Sequence, residues 1–103
     1  MDNNMNIVTT DCGDYIRLMV EGRVDTNTSA QFQQAILNSF QKKEHIVVDL
    51  LNVPLVSSAG LRALLIGQKT ATSKGGSMKI VNVSDVVKEV LEMSGFDSIL
   101  TVE

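Results

Sequence analysis

Cysteine, histidine and proline occur once each in this chain of 103 residues, as Cys12, His45 and Pro54, and tryptophan is absent. A single thiol cannot close an internal disulfide and suits a reducing compartment. One cysteine and one histidine also fall short of the ligand set that a zinc site needs. Cys12 sits in Asp11-Cys12-Gly13-Asp14, a turn-like run, and reads as a spare thiol. A surplus of positive charge is missing too: nine Lys and Arg against twelve Asp and Glu leave a net of −3, with no basic stripe. A nucleic-acid partner is therefore not expected. No apolar run approaches the roughly 18 residues that cross a bilayer, so no membrane association is expected. The start, Met1-Asp2-Asn3-Asn4, is polar and acidic, unlike a secretory signal, and a cytoplasmic setting is expected.

What is present is ordinary for a folded domain. Apolar residues make up 44% and charged residues 20%, and the length suits one domain spanning 1–103. Asn6 to Thr10 and Tyr15 to Glu21 are β-like runs around an Asp- and Gly-rich turn. In the second run Ile16, Leu18 and Val20 alternate with Tyr15, Arg17 and Met19, which suits a hairpin with one buried face. Thr26, Asn27 and Thr28 then offer caps for a first helix, whose apolar stripe is Phe32, Ala35, Ile36 and Phe40. His45 to Leu51 is β-branched and leucine-rich, and reads as a central strand closed by Pro54, which lacks a ladder N–H.

A second helix begins near Ser57 or Ser58, carries Leu61, Leu64 and Leu65, and stops at Lys74-Gly75-Gly76. Without the P-loop spacing, that glycine pair is a helix stop rather than a phosphate cradle. Met78 to Val83 makes another strand, and Ser84 caps a third helix with Val86, Val87, Val90 and Leu91 on its apolar face. Gly95 ends it, Met93 and Phe96 read as residues that close the core, and Ile99 to Val102 forms a last short strand or packed tail. Strands alternating with helices after a hairpin predict an α/β fold: a mixed sheet covered by helices.

Catalytic chemistry is hard to assemble from these residues. A serine nucleophile usually needs a histidine base. His45 opens the central strand and Ser58 lies beyond its far end, on the order of 20 Å away at the rise of a strand. The G-x-S-x-G elbow is missing as well. No metal and no cofactor is expected. What does stand out is a pair of serines at a strand-to-helix junction. A helix start leaves backbone N–H groups unpaired and carries partial positive charge. A hydroxyl there can be a plain cap, and a phosphate there would be well held. Asp25 and Asp49 end neighbouring strands. Each can be a capping or loop-bonding residue, or part of an acidic rim that docks a basic partner and orients the serine hydroxyl.

Val-Ser57-Ser58-Ala59-Gly60-Leu61-Arg62 resembles the phosphoacceptor loop of the STAS family, the small domains shared by anti-sigma factor antagonists and sulfate transporters. Glu21-Gly22-Arg23-Val24-Asp25 resembles the G-x-x-D run before that family's first helix, and Met93-Ser94-Gly95 matches a stretch of the bacterial antagonists. Alignment on Gly60 and Leu61 places Ser58 at the phosphorylated position, with Ser57, the less favoured acceptor, where the family usually has aspartate. The resemblance implies a non-catalytic partner-switching protein. Unphosphorylated, it binds an anti-sigma factor that is also a serine kinase. The kinase uses its own ATP to modify the serine, the pair separates, and a PP2C-type phosphatase resets the switch. The partner-binding surface implied is Asp25, Thr26, Ser57, Ser58, Ala59, Gly60, Leu61 and Arg62. The alternative is an unphosphorylated STAS scaffold in a signalling or transport complex, with Ser58 only a cap; a small-molecule enzyme at the strand edge is disfavoured for want of a base.

Overall fold

Strand alternation sets the direction of every side chain in the sheet. In β2 (Ile16–Glu21), β3 (His45–Asn52) and β4 (Ser77–Val81), apolar residues fall on every second position, whereas β1 (Asn6–Asp11) carries only Ile7 and Val8. Ile16, Leu18, Val20, Ile46, Val48, Leu50, Met78 and Ile80 all turn to one side and are buried. The computed structural model describes residues 5–103, so the polar start, residues 1–4, lies outside the described residues. The order in the sheet is β1-β2-β3-β4-β5, with β5 at Thr101–Val102. β1 and β2 form an antiparallel hairpin, and every later pairing is parallel. The expected mixed α/β sheet opened by a hairpin is the one observed.

Helices fill the crossovers. α1 (Ser29–Lys42) buries Phe32, Ile36 and Phe40, three positions on one stripe, with Ala35 packed at its margin. α2 (Ser58–Lys74) buries Leu61, Ala63, Leu64 and Ala71, and stops at Gly75, whose φ of 72° is the left-handed cap expected of glycine. α3 (Asp85–Met93) is capped by the Ser84 hydroxyl, which accepts a hydrogen bond from the Val87 amide at 3.2 Å. Helix and strand side chains meet in one core on one face of the sheet.

Two apolar assignments need correction. Met93 does not close the core: it is 81% exposed on the last turn of α3, whereas Phe96 packs against the core as expected. Val86 is exposed as well, because α3 turns Val87 and Leu91 into the core with Val90 packed beside them, and Val86 falls off that face. Cys12 is an exposed thiol at the hairpin turn.

Candidate functional site

β2, β3 and β4 run parallel, and each leads into a helix, so the starts of α1, α2 and α3 lie along one rim. Open α/β sheets gather ligands there, because unpaired helix N–H groups converge on it. Beyond the strands the β2 and β3 segments stay side by side. The Gly22 amide donates to the Asn52 carbonyl at 3.0 Å and the Val24 amide to the Leu55 carbonyl at 3.0 Å. The Ser57 amide returns a bond to the Val24 carbonyl at 2.8 Å, and Val24 and Val56 form a parallel bridge. Asp25 is thereby brought beside the serine pair, although 32 residues separate it from Ser57.

The two serines differ sharply in environment. Ser57 is the N-cap of α2, with extended backbone (φ −81°, ψ 176°), and its hydroxyl accepts from the Gly60 amide at 3.4 Å. It is half-buried. Ser58 is the first residue of the helix and is exposed, and its hydroxyl makes no hydrogen bond to any described residue. The cap function thus falls on Ser57, and Ser58 is left with a solvent-facing hydroxyl over the first turn.

Gly60 explains why the loop can sit so close to β2. A Cβ at this position would lie 2.7 Å from a Val56 methyl, 2.8 Å from a Val24 methyl and 3.1 Å from the Val24 carbonyl oxygen. Leu61 anchors the same turn in the core, whereas Ala59 is half-buried and Arg62 exposed. Arg62 follows Ser58 by four residues, so both side chains belong to one helix face.

Asp25 is a turn-forming residue. Its carboxylate accepts from the Asn27 amide at 2.9 Å and the Thr28 amide at 3.2 Å, and its carbonyl accepts from the Ser29 amide at 2.8 Å. Of the three cap candidates, Thr28 holds the N-cap position, yet its side chain does not cap the helix. Its buried hydroxyl instead donates to the Arg23 carbonyl at 2.9 Å and accepts from the Asp25 amide at 2.9 Å. Thr26 is exposed on the same loop.

Asp49 is not part of this rim. Its neighbours Val48 and Leu50 point into the core, so strand parity turns Asp49 to the opposite face of the sheet. There it is buried, ion-paired with Arg17, and it accepts from the Leu51 amide at 2.9 Å and the Asn82 side chain at 3.2 Å. Asn82 reaches it from a left-handed backbone conformation, φ 59°. Burial pushes the Asp49 carboxyl pKa up, but the Leu51, Asn82 and Arg17 hydrogen bonds with the Arg17 charge outweigh it and hold the group below the ordinary carboxylate range.

A carboxyl whose pKa is lower folded than unfolded stabilises the fold above its unfolded pKa, and that stability is lost as pH falls through the folded value. Asp49→Asn is therefore expected to flatten the acid limb of the stability curve, measured by urea unfolding from pH 6 to pH 2. An unchanged acid limb would show that Asp49 carries none of it.

His45 makes no contact with the serines. Its Nδ1 lies 2.8 Å from the Ser77 hydroxyl at the other end of β3, as the strand-length argument requires. Two rim residues escape a reading by motif: Leu55, 39% exposed in the loop before Ser57, and Val86, exposed on the first turn of α3. The available signal was weak, namely bulky apolar residues directly before or after a helix cap.

Fold and rim together define a small α/β domain whose accessible chemistry is a serine hydroxyl at a helix start. The chain belongs to the STAS family, whose pattern, that of the STAS domain, matches residues 6–103. It is 32% identical over 85 residues to the anti-sigma F factor antagonist of Paenibacillus polymyxa, covering 81% of this chain and 73% of that protein. An anti-sigma factor antagonist from Mycobacterium paratuberculosis superposes with a TM-score of 0.87 at 19% identity, over 99% of this chain and 87% of that one. The Bacillus cell fate determinant SpoIIAA in its phosphorylated form superposes with a TM-score of 0.73 at 14% identity, over 95% and 91%. The last two likenesses establish the fold. Among the described residues no helix is long and apolar enough to cross a membrane.

Proposed function

We propose that this protein is an anti-sigma factor antagonist that works as a phosphorylation-controlled, non-catalytic partner switch, with Ser58 as the acceptor. The observation that carries the reading is the division of labour at the α2 start. Ser57 is committed to the cap, and the Ser58 hydroxyl is exposed and free of partners among the described residues. The partner is an anti-sigma factor with serine kinase activity, which supplies ATP and the catalytic groups; a PP2C-type phosphatase reverses the step in the cytoplasm. The docking surface comprises Asp25, Thr26, Ser57, Ser58, Ala59 and Arg62, with Leu55 and Val86 as apolar contacts beside it; Gly60 and Leu61, expected on that surface, are buried and instead hold the turn beneath it.

Phosphate on Ser58 adds about −1.5 to −2 charges and three acceptor oxygens. At a helix start it meets unpaired N–H groups and the positive end of the dipole, a gain of roughly 0.3–1 kcal/mol before added hydrogen bonds. The fold accommodates the group. A partner fitted against this rim does not, because new charge and bulk appear beside Asp25 on a chain that is already acidic. Surface electrostatics, not refolding, then separates the pair. A structure of a phosphorylated SpoIIAA with the same fold is consistent with this account.

Phosphorylation should accordingly shift the melting temperature by no more than about 8 °C, since ~1 kcal/mol moves a domain of this size by about 4–8 °C. Calorimetry on the two forms measures it, and a fall beyond that range would mean that refolding drives release. Intact-mass analysis after incubation with the cognate kinase and ATP tests the acceptor itself. A gain of one phosphate mapped to Ser58 supports the switch. No gain favours the scaffold reading, and a phosphate on Ser57 alone overturns the register.

A further inference from the structure

β1 is the least buried of the four longer strands. Ile7 and Thr9 of β1 stand opposite Val20 and Leu18 and turn to the core face, yet Ile7 is only half-buried and Thr9 is exposed. The cause lies in α1. α1 reaches β1 as well as β2 and β3, but the flank that overhangs β1 carries Gln31, Gln34 and Asn38 in place of bulky apolar groups. A groove of about 440 Å³ remains between that flank and the hairpin, with Ile7, Ile16 and Ala35 as its apolar floor.

The groove runs along an unguarded edge. β1 is the outermost strand, and among the described residues its outer backbone groups have no neighbouring strand to pair with. Proteins usually blunt such an edge with proline, lysine, a bulge or an inward-pointing charge. Asn6–Asp11 holds none of these; its one charge, Asp11, closes the strand and lies 3.7 Å from Lys43. The opposite edge, β5, is two residues long and too short to act as a template. A six-residue free edge beside a helix-walled groove is the geometry of strand addition, in which the main chain supplies affinity and alternate side chains supply choice.

We propose that this groove takes an extended, uncharged segment of a partner protein, paired along β1, with valine- or threonine-sized side chains at alternate positions turned inwards. The lining chemistry sets that choice. The walls are amides and hydroxyls, with Gln34 donating to Asn38 at 2.9 Å, and Lys42 at one end is the sole charged lining residue among those described. A charged side chain seated away from the Lys42 end would lose water without gaining an opposite charge. A second copy fits less well than a bare strand. It would bring its own α1 to the same side, so that glutamine and asparagine flanks face each other where a stable dimer needs apolar area. The groove shares no lining residue with the serine rim, so its test is independent of the switch.

The full chain, labelled with ¹⁵N, is titrated with an acetylated peptide of seven alternating threonines and valines followed by two lysines for solubility. Expected are amide shifts confined to Asn6–Asp11 and Gln31–Lys42, including the side-chain amides of Gln31, Gln34 and Asn38. Hydrogen exchange along β1 should slow by about tenfold or more at saturation, the protection that a newly formed ladder confers. Ala35→Trp fills the groove from a half-buried helix position, and Thr9→Lys puts a charge into it. Both should keep the wild-type circular dichroism and bind the peptide at least about tenfold more weakly, a loss of ~1.4 kcal/mol. The proposal is overturned by unperturbed spectra at millimolar peptide, by shifts centred on Ser57 and Ser58, or by full binding to a folded Ala35→Trp. A wild-type dimer with β1 already protected would likewise overturn it, by making a second copy the occupant.

Discussion

Ser58→Asp is expected to bind the anti-sigma kinase about a hundredfold more weakly than the unmodified chain, and Ser58→Ala to bind with little change while accepting no phosphate. The first figure corresponds to a loss of about 3 kcal/mol at the interface. A carboxylate carries about half to two-thirds of a phosphate's charge and fewer acceptor oxygens, so the phosphorylated wild type should bind at least as weakly as Ser58→Asp. Ser57→Ala separates the two hydroxyls. It removes the cap bond to Gly60 and should cost about 0.5–2 kcal/mol of stability, yet still be phosphorylated. Surface plasmon resonance with the kinase, paired with phosphopeptide mapping, reads both effects. Equal affinity of Ser58→Asp and wild type would remove the electrostatic account. Phosphate incorporation into Ser58→Ala would move the acceptor elsewhere.

Gly60→Ala has the second large effect, and two opposing terms decide its sign. In an ordinary helix the change from glycine to alanine favours folding by about 0.8–1 kcal/mol. Here the added methyl meets two valine methyls at 2.7 and 2.8 Å and a carbonyl oxygen at 3.1 Å. Overpacking of that kind costs about 1–3 kcal/mol, and the carbonyl belongs to the segment that accepts the Ser57 amide bond. The net expectation is destabilisation of about 0–2 kcal/mol, with the α2 start pushed away from Asp25 and the kinase phosphorylating Ser58 more slowly. Urea unfolding gives the stability change, and phosphorylation rates of the folded variant give the functional one. A stabilised Gly60→Ala would show that the loop can move without cost.

Several features were legible before any coordinates. Ile16, Leu18 and Val20 announced a one-faced strand, Pro54 ended β3, and Gly75 ended α2, because each effect is local to its own residues. The serine junction was legible for the same reason: cap, first turn and anchoring leucine lie within five residues of one another. Asp49 was not. Its place near the end of β3 suggested the rim, but its direction follows from parity, and its partners Arg17 and Asn82 come from two other strand segments. Met93 fits an apolar pattern and is nevertheless exposed, since the helical turn puts it off the face that Val87, Val90 and Leu91 present to the core.

The sequence alone determined the alternating elements, the absence of a serine–histidine couple and the position of two hydroxyls where a helix begins, because spacing and capping chemistry act over a few residues. Tertiary structure decided which hydroxyl is spent as the cap and which faces solvent, that Asp25 stands beside them, and that a polar flank of α1 leaves a groove over β1. Those outcomes depend on how far β2 and β3 stay paired and where the helix layer ends. Such distances arise between segments remote in the chain, and no local pattern encodes them.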